Sequence, residues 1–335
     1  MLRQCSSALR LFSALLVLGL AGTATATTWN EPWHEEVMLA SESFVKVKII
    51  EVRESGCKAE VLKSLGGVVL PSQIELAGFS KLSLTSVSSA SHEVRMPFQV
   101  DQIYYLFVAK NPQANTYQIP TPTSGWARVN QGNVAATYRH SYHKAIVPED
   151  VYEQTMQAIF NGIKGRPYNS EAMAAFVKSQ LSMGVASLGN DEAMNKRFFL
   201  QHVALEAFYF LRKGTELAQL VPFVQSDSYH VQISACRAVS AIDSPASREL
   251  LMKFIEGKGT GFAKVMCVWG LKRLNARAMV PRLQVFLKSG EDQETGFGGD
   301  IMDPRIGTYF PDSVKEAIRG LLDSWGKSMA KSERP

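Results

Sequence analysis

The apolar residues of one stretch, HVQISACRAVSAIDSPASRELLMKF over residues 230–254, return in register on both sides of it, and no other feature limits the fold as tightly. Val231, Ala235, Ala238, Val239 and Ile242 stand at offsets 0, 4, 7, 8 and 11, one face of a helix. The same offsets counted from Leu200 reach Ala204, Ala207, Phe208 and Leu211, and from Ala263 they reach Cys267, Gly270, Leu271 and Leu274. One such face is common in helices, so the next segment of each unit carries more weight. Nine and thirteen residues beyond Leu211, Ile242 and Leu274 come Leu220 and Val224, Leu251 and Ile255, and Leu283 and Leu287, which places a second helix after each first one.

Lys213-Gly214-Thr215, Asp243-Ser244-Pro245 and Asn275-Ala276-Arg277 separate the helices with turn and capping chemistry. Offset 7 is held by Ala207, Ala238 and Gly270, and short side chains let two helices approach closely. Helical pairs repeating at 31 and 32 residues describe an α-solenoid. Over residues 196–326 the chain resembles the HEAT-repeat family, a resemblance that implies stacked helical pairs and a habit of binding. Tyr152, Met156, Ile159, Phe160 and Ile163, with Ala172 and Phe176, read as a divergent opening repeat over 149–183. Val314, Ile318, Leu321, Leu322 and Trp325 read as a closing helix after an inserted loop, residues 289–312, rich in glycine and acids. The repeat domain is thus expected over 149–326, with a disordered tail over 327–335.

Trp269 falls at offset 6, where the other units carry Glu206 and Arg237, and the spacing turns it away from the core. Two roles are open to it. Either the inserted loop folds back over the indole through Phe297, Tyr309 or Phe310, or Trp269 anchors a partner protein, as aromatic residues often do. Gln219, Lys253 and Arg282, polar residues between the apolar offsets of the second helices, are candidate contacts on an inner wall.

Residues 27–148 have a different texture. SFVKVKIIEVRE alternates Val45, Val47 and Ile49 and then slips phase at Ile50, which predicts a bulge. Cys57, Ala59 and Val61 alternate beyond a turn at 54–56, and SQIEL, QIYYLFVAK, TYQIP, GWARV and NVAATYR add strands, with Gln131-Gly132 at a hairpin. Five or six strands suggest a small closed barrel, which resembles OB and netrin-like barrels and is expected to bury Tyr104, Tyr105, Tyr117 and Trp126.

The first 26 residues place Arg3 and Arg10 before the apolar run LFSALLVLGLAG and end on Ala24-Thr25-Ala26, the pattern of a cleaved secretory signal. No later segment approaches the roughly 20 apolar residues of a spanning helix. The expectation is a bacterial periplasmic or secreted protein with no membrane span. Removal of the signal takes the formal charge from +5 to +3 (5 − 2 = 3), too small an excess to argue for nucleic acid. Cys57, Cys236 and Cys267 remain, and neighbouring helices place Cys236 and Cys267 as two buried thiols.

Motifs for chemistry are absent. His140 and His143 lack the glutamate of a zinc peptidase helix and read as surface-loop histidines. GKGTG at 257–261 reads as a turn between repeats, and Asp292, Glu294, Asp300 and Asp303 as a solvated loop. No cofactor and no metal are implied. The fold class expected is α+β multidomain, a small OB-like all-β barrel followed by a HEAT-like α-α solenoid. The function expected is an exported, non-enzymatic scaffold for a protein partner. The alternative is an envelope enzyme or enzyme subunit whose site lies in the cleft between barrel and helices or in the 289–312 loop, and clustered buried carboxylates or histidines there would favour it.

Overall fold

A computed structural model describes residues 29–53, 56–77, 83–85, 93–95, 98–296 and 306–332. The signal-like segment, Phe297, Asp300, Asp303 and the last three residues lie outside them. The fold is mixed α+β. A short strand β1 (Trp29–Asn30) and a helix α1 (His34–Ala40) lead into a long hairpin, β2 (Ser43–Arg53) and β3 (Gly56–Gly67), followed by β4 (Gln73–Ala77). β5 (Ser83–Thr85) and β6 (Glu93–Arg95) form a separate two-stranded ribbon. Next come β7 (Ile103–Lys110), β8 (Tyr117–Gln118), β9 (Trp126–Asn130), β10 (Asn133–Thr137) and β11 (Lys144–Pro148).

Five strands close a barrel in the order β7, β2, β3, β4, β8 and back to β7, because β8 pairs with both β4 and β7. Alternation decides what fills it. Val45, Val47, Ile49, Cys57, Ala59, Tyr104, Leu106 and Val108 point inward with Phe98 and Ile119. Phe44, Tyr105 and Phe107, one residue out of phase, point outward into the second, larger core. The expected bulge is present, since the β2–β3 register shifts between Ile49 and Glu51. The Gln131-Gly132 hairpin is present too, with φ of 49° and 73°. β9, β10 and β11 extend the sheet beyond the barrel, and β11 escaped the sequence reading because KAIVP is short and borders a helix start.

The helices are α2 (Glu149–Ile163), α3 (Ser170–Leu181), α4 (Glu192–Leu211), α5 (Leu217–Val224), α6 (Tyr229–Val239), α7 (Pro245–Glu256), α8 (Gly261–Arg273), α9 (Val280–Ser289) and, after β12 (Ile306–Gly307), α10 (Val314–Ser332). α2 joins barrel to helices. The Tyr105 hydroxyl shares its one proton between Glu149 and Glu153 at 2.9 and 3.0 Å, Lys46 pairs with Glu149 at 2.8 Å, and Lys63 pairs with Glu153. Of α3, the residues buried are Met173, Val177 and Leu181, one position beyond the expected Ala172 and Phe176.

α4 packs on α6, α6 on α8, and α8 on α10, so the faces that begin at Leu200, Val231 and Ala263 succeed one another. The second helices depart from expectation. Each of α3, α5, α7 and α9 packs most extensively on the first helix that comes after it, not on the one before. The small residue at offset 7 explains this, since a Cβ added to Gly270 of α8 would lie 3.0 Å from Leu251 of the preceding α7. GKGTG is the turn between α7 and α8, with Thr260 capping α8 by accepting from the Ala263 N–H. α10 runs to Ser332, so the expected tail is helical over its first residues. No helix among the described residues is long and apolar enough to cross a membrane.

Candidate functional site

The start of the described chain meets the segment that precedes α10. β1 pairs in parallel with β12, and the Glu31 N–H donates to Gly307 at 2.7 Å, which carries Trp33 and the 306–310 segment together onto α8. Glu31 is buried and accepts hydroxyl protons from Thr121, Thr123 and Ser124, fixing this N-terminal stretch to the turn before β9. Trp33 meets Trp269 edge to face with centroids 5.4 Å apart, and Phe310 meets Trp269 at 5.1 Å. Phe310 in turn stacks on Phe262 at 4.5 Å. A groove of about 430 Å³ opens beside this cluster, lined by Glu31, Trp33, Glu36, Trp269, Lys272 and Tyr309 among others. Tyr309 stands out of it, 85% exposed, while Phe310 is 6% exposed.

Beneath the aromatic cluster lies a buried polar network. Glu206 of α4 is fully buried and accepts from Arg237 Nε at 2.9 Å and from the Ser234 hydroxyl at 2.7 Å. Arg139, which follows β10, donates to Ser234 Oγ at 2.8 Å and lies 3.9 Å from Glu206. Burial lowers the Arg139 guanidinium to about 10 against the pull of Glu206, and Arg237 adds to the lowering. Arg237 also sits 4.0 Å from the Tyr209 ring centre and 5.7 Å from that of Trp33, so it links network to cluster.

Buried histidines and a buried carboxylate cluster here, the feature set out above as favouring an enzyme, but the connectivity of Ser234, His202 and Glu206 is not that of a catalytic triad. Ser234 has one proton and gives it to Glu206, so His202 Nδ1, 3.1 Å from Ser234 Oγ, must be the donor in that contact. A histidine that donates to a serine cannot take its proton, and a carboxylate bound to the serine does not orient the imidazole as a triad requires. His202 Nε2 is buried without a hydrogen bond, and the ring lies 4.1 Å from His143, which is 4.8 Å from His230. Burial holds all of these imidazoles neutral. His143 falls to about 2 with Arg139 adding to the effect, His140 and His230 fall to about 4, His34 falls to about 3, and His202 lies well below its usual value. Among the described residues no group of three or more His, Cys, Asp or Glu could hold a metal ion.

Several sequence expectations are corrected by this geometry. His140 and His143 are 2% and 7% exposed, not surface residues, because His140 packs on Trp33 and His143 on His202 and His230. Offset 6 does not face solvent. Glu206 is 0% exposed and Arg237 8%, because the first helices are covered on two faces, by their neighbours and by the N-terminal region. Trp269 is accordingly half-buried, and of the aromatics proposed to cover it Phe310 does so, joined by the unforeseen Trp33. Tyr309 lines the groove beside Trp269. Lys253 and Arg282 are brought together by Glu249, at 3.7 and 2.6 Å, and Arg282 also pairs with Glu256. Gln219 stays apart from them, accepting from Thr215 at 2.7 Å. Cys236 and Cys267 are buried free thiols in hydrogen-bonding contact, and burial with that contact raises Cys267. Asp292 accepts from Ser313 and from the Lys315 N–H at 3.0 Å, and so holds the start of α10.

The sequence contained one unused signal. Glu206, Arg237 and Trp269 occupy the same offset in consecutive units, and opposite charges at one offset on adjacent rungs are placed to pair, as Glu206 and Arg237 do at 2.9 Å. Compared with protein-family models, with curated proteins and with solved structures, the chain matches none.

Proposed function

We propose that the chain is an exported, non-enzymatic binding protein in which a small barrel braces a row of HEAT-like helical pairs, and that it recognises a protein partner at the groove beside Trp269. Tyr309 carries the reading. A tyrosine 85% exposed, flanked by two half-buried indoles, offers a large apolar ring and a hydroxyl at small cost in ordering, the profile of an interface anchor. Glu36 and Lys272, both exposed at its rim, supply charges of each sign to orient a bound segment. The stacking is supported by the order in which α4, α6, α8 and α10 pack. Export is supported by the arrangement of Arg3, Arg10, the apolar run and Ala24-Thr25-Ala26.

The experiment is affinity capture from envelope extract by the chain lacking its first 26 residues, followed by binding measurements with the protein retained in stoichiometric amount. Tyr309→Ala is expected to weaken that complex by about 2 kcal/mol or more, roughly thirtyfold, while Val69→Ala, at an 81% exposed site away from the groove, leaves it unchanged. Equal retention by Tyr309→Ala overturns the reading.

A further inference from the structure

A second cavity lies at the far side of α8, between the ends of α7 and α9, with a volume of about 470 Å³. Lys258, Lys264, Arg282, Phe286, Glu291 and Gln293 are among the residues that line it. Lys264, in the first turn of α8, is 3% exposed. Its ammonium sits 5.9 Å from the centre of the Phe286 ring, and among the described residues no hydrogen bond or ion pair reaches it. Its stem is packed away while the ammonium opens onto the cavity, whereas Arg139 and Arg237, the other buried cations among the described residues, are both satisfied by Glu206 and Ser234. Burial accordingly lowers the Lys264 ammonium from its usual value, with Glu291 pulling the other way. Arg282 is taken up by Glu249 and Glu256, which leaves Lys258, exposed at the rim, and Lys264 as the cations with capacity to spare. A second group is also unsatisfied, since Gln293 Oε1 is buried with no donor.

We propose that this cavity binds a small organic anion, its carboxylate or phosphate held by Lys264 and Lys258, its carbon skeleton against Phe286 and Val285, and a hydroxyl or amide N–H donated to Gln293. The size suits such a ligand, at the lower end of pockets that enclose small molecules. The site is independent of the aromatic groove, and either can fail alone.

The test is thermal unfolding and calorimetric titration of the chain with inorganic phosphate and with lactate, a hydroxycarboxylate, against chloride at equal ionic strength. A saturable rise in Tm with either probe is expected, since a ligand that binds only the folded state raises it by mass action. Lys264→Met, which keeps an apolar stem of similar length, is expected to abolish that rise. Gln293→Glu, which places a carboxylate at the cavity and leaves the residue 293 carbonyl free to accept from the Val314 N–H, is expected to weaken binding about tenfold or more. No response beyond that of chloride overturns the proposal, as does a response that survives Lys264→Met or Gln293→Glu.

Discussion

The chain buries positive charge on both sides of its helical row, and it does so in two different ways. On the side facing the barrel, Arg139 and Arg237 surround Glu206, Ser234 joins them, and each guanidinium has an acceptor, although His202 Nε2 at the margin has no partner among the described residues. On the far side the Lys264 side chain is packed away but its ammonium borders a cavity, 5.9 Å from the centre of the Phe286 ring, with Glu291 acting on it from beyond ion-pair distance. A completed network holds two parts of a protein together, whereas an incomplete one invites a ligand. Exposure gives the same contrast among the aromatics, where Phe310 is packed away on Phe262 and its neighbour Tyr309 projects into solvent.

The sharpest way to break the first half of the comparison is to remove the carboxylate. Glu206→Ala leaves two buried guanidinium groups facing each other and is expected to destabilise the fold by about 3–5 kcal/mol, read as the shift in urea midpoint. A loss under about 1 kcal/mol would show the network to be no brace.

Acidification probes the same region from another direction. His140 has a folded value near 4 against 6.5 unfolded, so the unfolded chain takes up the proton first as pH falls. Stability is therefore full above about pH 6.5 and declines from there down through pH 4, by roughly 3 kcal/mol for this group. His34, lowered to about 3, and His143, lowered to about 2, extend the decline to lower pH. Urea midpoints measured between pH 7 and pH 4 check the slope, and a flat profile would contradict the burial of these rings.

Smaller effects sharpen the other contrasts. Phe310→Ala empties the space between Phe262 and Trp269 and is expected to cost about 3 kcal/mol, with red-shifted tryptophan emission. Gly270→Val, whose Cβ meets Leu251 at 3.0 Å and Ser240 at 3.1 Å, is expected to cost about 1–3 kcal/mol by overpacking. Tyr309→Ala, at the exposed end of the comparison, is expected to shift stability by no more than about 0.5 kcal/mol.

Legibility in the sequence tracked the number of faces an element buries. α6 and α8 announced themselves through apolar offsets that recur, and the barrel strands through alternation at Val45, Val47 and Ile49, because a repeated face leaves a repeated pattern. The first helices α4 and α6 also have a second buried face, built from Glu206 on one and Ser234 and Arg237 on the other, and polar residues that satisfy one another look like surface when read singly. Trp33 was invisible for another reason: its position depends on β1 joining β12, a pairing of two-residue strands more than two hundred residues apart. Of the candidate contacts, Trp269 and Tyr309 line one groove, while Gln219, Lys253 and Arg282 were chosen by spacing alone and only the last two share a partner.

The most direct measurement is the affinity of Tyr309→Ala for the captured partner, taken beside its Tm and beside the same pair of values for Glu206→Gln. The expected result is a large loss of affinity at unchanged Tm for Tyr309→Ala, and a lowered Tm with intact affinity below it for Glu206→Gln. Unchanged affinity in Tyr309→Ala, or lost affinity at full stability in Glu206→Gln, would contradict the proposed division of the molecule into a buried polar brace and an open face that binds a partner.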